Sequence, residues 1–225
     1  MVRRIREIRI LPWVHIAVCL VGAIGCSGSK RDEHFIDEPP PPIILSMTSE
    51  PQLITDTQDP LQPWVLTVNG VVQIHATHPQ TGARVDNLVV WTAGPIKFST
   101  DPPGVIDQQG KYTAPPTPSY VGVAARADAL NPPLRGSVAI KIVAAPTLIS
   151  FTASVSAISP GQSVTLTPVF TDGQGQLRVG NQVIEANLVS GNPVTISPTT
   201  STTYTLAVTN LAGASVTRDL AIAVN

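Results

Sequence analysis

Thr203-Tyr204-Thr-Leu206-Ala-Val208-Thr-Asn210-Leu-Ala-Gly213 puts an apolar side chain at every second position and then breaks at Asn210–Gly213. A period of two is the pleat of a strand with one face buried. The same rhythm follows at once in Val216, Leu220, Ile222 and Val224, interrupted by Arg218. Two neighbouring strands with a Gly-containing turn between them read as a hairpin. Working backwards, Val164, Leu166 and Phe170 make another such face after the turn Pro160–Ser163, and Asp172-Gly173 ends it.

The pattern repeats further upstream. Val138, Ile140 and Ile142 alternate, as do Val121, Val123, Ala125 and Ala127. Asn87 to Trp91 is a nearly continuous apolar run and reads as a central strand. Val72, Ile74 and Ala76 alternate with Gln73, His75 and Thr77. Trp64, Leu66 and Val68 alternate with Val65 and Thr67. Asn69-Gly70 between those two runs predicts a hairpin. No helical period persists in this region. Pro is frequent at 22 residues, aromatic residues make up 4% and charged residues 13%, which suits short strands and turns better than helices. The expected fold class is all-β. At roughly 100 residues per sandwich, the chain of 225 accommodates two. Their expected limits are 43–144 and 146–225, with Ala145-Pro146 at the joint. A joint this short implies restricted motion between them.

The first 42 residues read differently. Arg3, Arg4, Arg6 and Arg9 precede an apolar run from Leu11 to Gly25, broken only by His15. A basic start, a short apolar stretch and small residues before a cut site make a secretory signal over 1–25. The run of 15 residues is short of the roughly 20 that a bilayer-spanning helix needs. Segment 26–42 is polar and charged and ends in the tetraproline Pro39–Pro42, which predicts a disordered tether with an extended polyproline end.

Ala23-Ile24-Gly25-Cys26 resembles the lipobox of bacterial lipoproteins, departing from its commonest form at Ala23, where Leu is usual. The resemblance implies lipidation of Cys26, a membrane partner through that lipid, and a place in the cell envelope. Ser27 after the cysteine implies the outer membrane. Two further stretches resemble bacterial immunoglobulin-like modules. The first is Trp91 followed by Gly104-Val-Ile106-Asp107-Gln-Gln-Gly110-Lys-Tyr112-Thr-Ala-Pro115. The second is Ile149–Ser154, Gly161–Leu166 and Val194–Gly213, although the Trp-bearing middle strand usual there is missing. The resemblance implies two tandem immunoglobulin-like β-sandwiches acting as a non-catalytic spacer, adhesion or protein-interaction module. Its partner would be an envelope protein or a polysaccharide.

Charge excludes one class of function. Four of the 14 basic and one of the 15 acidic residues precede Cys26, leaving 10 against 14, a net charge near −4. Nucleic-acid binding needs the opposite sign. No enzyme signature emerges either. His75 and His78 are three apart on a strand, so they face opposite ways. His75 falls on the polar, exposed face, and His34 lies in the tether. Asp101, Asp107, Asp128 and Asp172 sit among turns, where carboxylates bond to backbone amides, although a calcium ion at a module end stays open. Serines lack a nucleophile-elbow setting, and no phosphate loop appears. No cofactor, metal or catalytic residue is therefore expected. Trp64, Trp91, Tyr112, Tyr120 and Tyr204 could form a carbohydrate platform, but most fit core positions. Trp64, after Pro63, is the one least committed to the core.

Overall fold

The structure is a computed structural model that describes residues 43–96 and 100–225. The expected signal segment, the tether, Cys26 and His34 lie outside the described residues.

Strand alternation builds the first sandwich from two sheets. One has the order β1 (Ser46–Glu50), β4 (Val71–Thr77), β7 (Lys111–Thr113), β6 (Val105–Ile106). The other has the order β2 (Ile54–Thr55), β3 (Trp64–Thr67), β9 (Leu134–Val143), β8 (Ser119–Ala127), β5 (Val90–Pro95). The inward sets named from sequence, Val72, Ile74 and Ala76 on β4 and Val121, Val123, Ala125 and Ala127 on β8, are all buried. They close on Trp91, Tyr112, Ile140 and Ile142 in a single apolar cluster.

The second sandwich pairs β10 (Thr147–Ala153), β12 (Val164–Thr171) and β15 (Val194–Ile196) in one sheet. The other runs β11 (Ala157–Ile158), β17 (Ser215–Val224), β16 (Thr202–Thr209), β13 (Gln174–Val179), β14 (Gln182–Leu188). Its core gathers Phe151, Val164, Leu166, Phe170, Leu177, Tyr204, Leu206, Val208 and Ile222. In both sandwiches an early strand leaves the first sheet to run parallel to the last strand: β3 beside β9 and β11 beside β17. All other pairings between strands are antiparallel. In the first sandwich a four-stranded sheet faces one in which β9, β8 and β5 are neighbours, with Trp91 buried on β5, as in immunoglobulin domains; the second keeps the two-sheet closure with a three- and a five-stranded sheet and no Trp. The sequence expectation of two tandem sandwiches of this class is met.

Three local expectations are corrected. Asn69-Gly70 does form a tight turn, with Gly70 N–H donating to Thr67 O at 2.9 Å, but it joins strands of different sheets. A turn specifies reversal over four residues, not whether the flanking strands pair. Here the edge of β4 is taken by β1 and β7, and that of β3 by β2 and β9. Second, the strand expected over Asn87–Trp91 begins only at Val90. Asp86–Leu88 is a 3₁₀ turn, because the Asp86 carboxylate leaves the local chain to accept from Ala76 N–H at 2.7 Å. Third, Val65 is buried like Leu66, so β3 does not divide into inner and outer faces. Val65 lies in register between Ile54 and Lys141.

The Gly/Gln-rich middle of the second sandwich is an antiparallel strand pair, β13 with β14, whose register shifts at Gly175–Leu177 and at Leu177–Arg178. Asp172 takes a positive φ of 58° at the turn, and β13 then buries Leu177. Gly175 faces the Phe170 ring so closely that an added Cβ would stand 2.6 Å from Phe170 Cζ. The aromatic volume that a Trp would bring from this strand comes instead from across the core.

Candidate functional site

The Gly104–Pro115 motif turns out to be architectural. Asp107 Oδ1 accepts from the amides of Gln109 and Lys111, each at 2.9 Å, closing the turn between β6 and β7. Gly110 stands at φ 84°, and its carbonyl accepts from Ile74 N–H at 2.8 Å. A Cβ there would lie 2.3 Å from Ile74 O. Tyr112 is fully buried, and its hydroxyl donates to Pro103 O at 2.8 Å. Burial pushes the phenol well above its ordinary pKa, so it stays protonated and bonded. The Asp107 carboxylate and the Tyr112 hydroxyl are both spent on holding the local chain.

The other candidates disperse. Asp128 accepts from Arg126 Nε at 2.8 Å in the open, and Asp172 sits on its turn. His78 is half-buried, and its Nδ1 accepts from Gln80 N–H. His75 departs from expectation: it is 7% exposed, although it lies on the outer face. The connection from β4 to β5 doubles back and lays Asp86 on the ring, with Nδ1 to Asp86 Oδ2 at 2.7 Å. Glu50 of β1 approaches Nε2 at 3.6 Å. Alternation locates the face of a strand but not the loops that cover it. The two histidines do not join. Among the described residues, no group of His, Cys, Asp and Glu could hold a metal ion.

Trp91, Tyr112 and Tyr204 are buried, while Trp64 and Tyr120 are half-buried. Burial also raises the Tyr204 phenol. No described aromatic side chain is exposed.

One cluster does form, and sequence reading named only one of its members. Lys141 of β9 lies in register between Val65 and Tyr120, on the outer face of its sheet. The chain from β2 to β3 curls over it. Within that loop Asp56 N–H donates to Pro63 O, and Asp56 and Asp59 each accept from an amide two residues on. Lys141 Nζ donates to Asp56 Oδ2 at 2.8 Å and stands 3.9 Å from Asp59 Oδ2. The Tyr120 hydroxyl donates to Asp59 Oδ2 at 2.5 Å. Nζ also lies 5.6 Å from the Tyr120 ring centre, within cation–π range.

The electrostatics of this cluster point away from catalysis. The bond to Asp56, with a smaller contribution from Tyr120, pushes Lys141 up to about 12. The same bond from Lys141 holds Asp56 below the usual carboxylate range. The Asp59 carboxylate, then partial burial, raise Tyr120. Each shift moves a group away from neutrality, whereas proton transfer at physiological pH wants a group near it. A cleft of about 820 Å³ opens beside the cluster, bordered also by Leu61, Ile142, Val143 and Asp172. It is large enough for a small ligand, but Asp59, Tyr120 and Lys141 in its wall are bonded to one another. The arrangement is a clamp that ties a loop to a sheet. Lys141 was legible only as a polar residue on the outer face of an apolar strand, and Asp56 and Asp59 as turn formers. Their meeting spans 85 residues of chain.

No protein-family model matches the chain, and no curated protein matches it. Among solved structures, similarity is found to extracellular domains 3–5 of Drosophila OTK, at 14% identity and a TM-score of 0.46. That match covers 80% of this chain and 62% of the other. The C-terminal 282-residue fragment of intimin, solved with the intimin-binding domain of its translocated receptor, is similar at 15% identity and a TM-score of 0.45, over 80% and 64%. The fibronectin(III)-like modules of Clostridium thermocellum CbhA are similar at 15% identity and a TM-score of 0.41, over 80% and 94%. The chain thus spans less than two thirds of the first two. These are likenesses of architecture at low identity. The immunoglobulin-like fold rests on the strand order and the two closed cores, which the chain displays by itself.

Proposed function

We propose that this chain is an exported bacterial lipoprotein, tethered to a membrane through Cys26, whose two sandwiches serve as a non-catalytic spacer and protein-interaction module. The proposed organisation is a signal peptide over 1–25, a lipidated tether over 26–42, and domains over 43–144 and 146–225. Ser27 favours the outer membrane as its address.

One observation supports the non-catalytic part. In the clamp where described charged side chains converge, Asp56 is held down and Tyr120 and Lys141 are held up, so none is poised to exchange a proton near neutral pH. The membrane part is supported by the basic start, the short apolar run and the small residues before Cys26. Three acyl chains on one cysteine would anchor stably where a single chain would not.

The test is Cys26→Ser in the native envelope. The wild type should incorporate labelled palmitate and sediment with membranes. The variant should do neither and should accumulate as uncleaved precursor. A variant that still takes up label, or a wild type that does not, overturns the anchor.

A further inference from the structure

Inter-domain contacts within a chain are usually modest, and relative motion is the default expectation. The turn between β16 and β17 departs from that expectation. Asn210 is 8% exposed although it occupies a turn at the end of a sandwich. Its side-chain amide Nδ2 donates to Ala144 O at 2.8 Å and to Thr67 Oγ1 at 3.2 Å, both outside its own sandwich. Its Oδ1 accepts from Ala214 N–H at 2.9 Å, closing its own turn. One side chain thus serves both bodies with all its hydrogens in use.

The receiving surface is firm. Thr67 pairs with Val143, and Val68 N–H donates to Val143 O at 2.9 Å, so the ends of β3 and β9 are laced together just before the joint. Leu211 borders the Asp56–Pro60 loop and Lys141. Gly213 faces Ile54 closely enough that a Cβ would stand 3.5 Å from Ile54 Cδ1. The turn therefore touches β2, β3 and the joint at once, and residues 41–225 cluster as one compact unit.

We propose that Asn210 locks the two sandwiches at one fixed angle, so that they behave as a single rigid strut. The lock works by placing a buried donor against a carbonyl oxygen and a hydroxyl oxygen of the neighbouring sandwich. Losing that donor takes a hydrogen bond from the half-buried Ala144 carbonyl and the half-buried Thr67 hydroxyl. The inference concerns the geometry of the sandwiches and stands whether or not Cys26 carries lipid.

The test uses pulsed dipolar spectroscopy on the full chain carrying Cys19→Ser and Cys26→Ser, with nitroxide labels at the exposed positions Ser137→Cys and Thr199→Cys. The parent should give one narrow distance distribution. Asn210→Asp keeps the acceptor for Ala214 N–H but turns the donor into a carboxylate facing Ala144 O. It should broaden the distribution severalfold with unchanged strand content by circular dichroism. Thr67→Val leaves the β16–β17 turn intact and should broaden it less, which covers the case in which Asn210→Asp does not fold. A broad distribution in the parent overturns the lock. So do variants, Thr67→Val alone if Asn210→Asp does not fold, whose distributions match a narrow parent.

Discussion

The two sandwiches solve the same packing problem with different means. The first centres on Trp91 and Tyr112, with Gly110 cut away beneath them, and buries seventeen described residues in its cluster. The second has no tryptophan and buries ten, with Phe170 reaching over Gly175 to fill the middle. The first spends two loops on covering its outer faces, one in the clamp on Lys141 and one in the roof of Asp86 over His75. The second leaves β14 bare, with Val183 and Ile184 in solvent at the sheet edge. Volume in a core can come from one large residue or from several smaller ones meeting across it.

Trp91→Ala should break the first core most severely, lowering unfolding free energy by about 3–5 kcal/mol in urea titrations. A loss under about 1 kcal/mol would mean that the ring does not organise this cluster. Leu206→Ala should lower stability by about 2–5 kcal/mol. The described tryptophans, Trp64 and Trp91, both belong to the first sandwich. If the sandwiches unfold together, their fluorescence will report this distant loss as well. Unchanged tryptophan transitions would show independent unfolding.

Glycine substitutions sharpen the contrast between the two bodies. Gly110→Ala meets Ile74 O as well as a positive φ, whereas Gly180→Ala at φ 56° meets nothing within 4 Å. The second change should cost only the left-handed penalty of about 1–2 kcal/mol, and the first clearly more, in paired thermal melts. Equal losses would mean that the turn under Trp91 relaxes freely.

The clamp predicts a pH dependence seated in the first sandwich. Asp56 is held below its unfolded pKa, so its contribution is present above that value and is lost as pH falls through the lower, folded one. Asp56→Asn should therefore lower stability at pH 7 and flatten the acid limb of the melting curve. A parallel acid limb in the variant would detach the clamp from stability. The smallest effect is expected at the bare edge: Val183→Thr should change stability by less than about 0.5 kcal/mol. A larger loss would show that β14 is covered in the intact molecule.

Particular residues show where reading the chain succeeds. Val121, Val123, Ala125 and Ala127 announce their inward face, because a side-chain period of two is a local property of any pleated strand. Asp107 and Gly110 announce their turn for the same reason, since an Asx bond and a positive φ involve only near neighbours. Asn69-Gly70 shows the limit. Its turn was legible, but its role as a crossing between sheets was not, because pairing partners are chosen among strands distant in sequence. His75 and Lys141 fail likewise: each reads as an outward polar residue until a loop from elsewhere lands on it.

The amino-acid sequence by itself determined that short half-buried strands would close two apolar interiors, and which faces would line them, since alternation and turn chemistry act within a few residues. Tertiary structure alone decided the sheet order, the burial of His75, the meeting of Lys141 with Asp56 and Asp59, and the reach of Asn210 across the joint. Those outcomes depend on which distant segments come to share a surface, and no local periodicity records that choice.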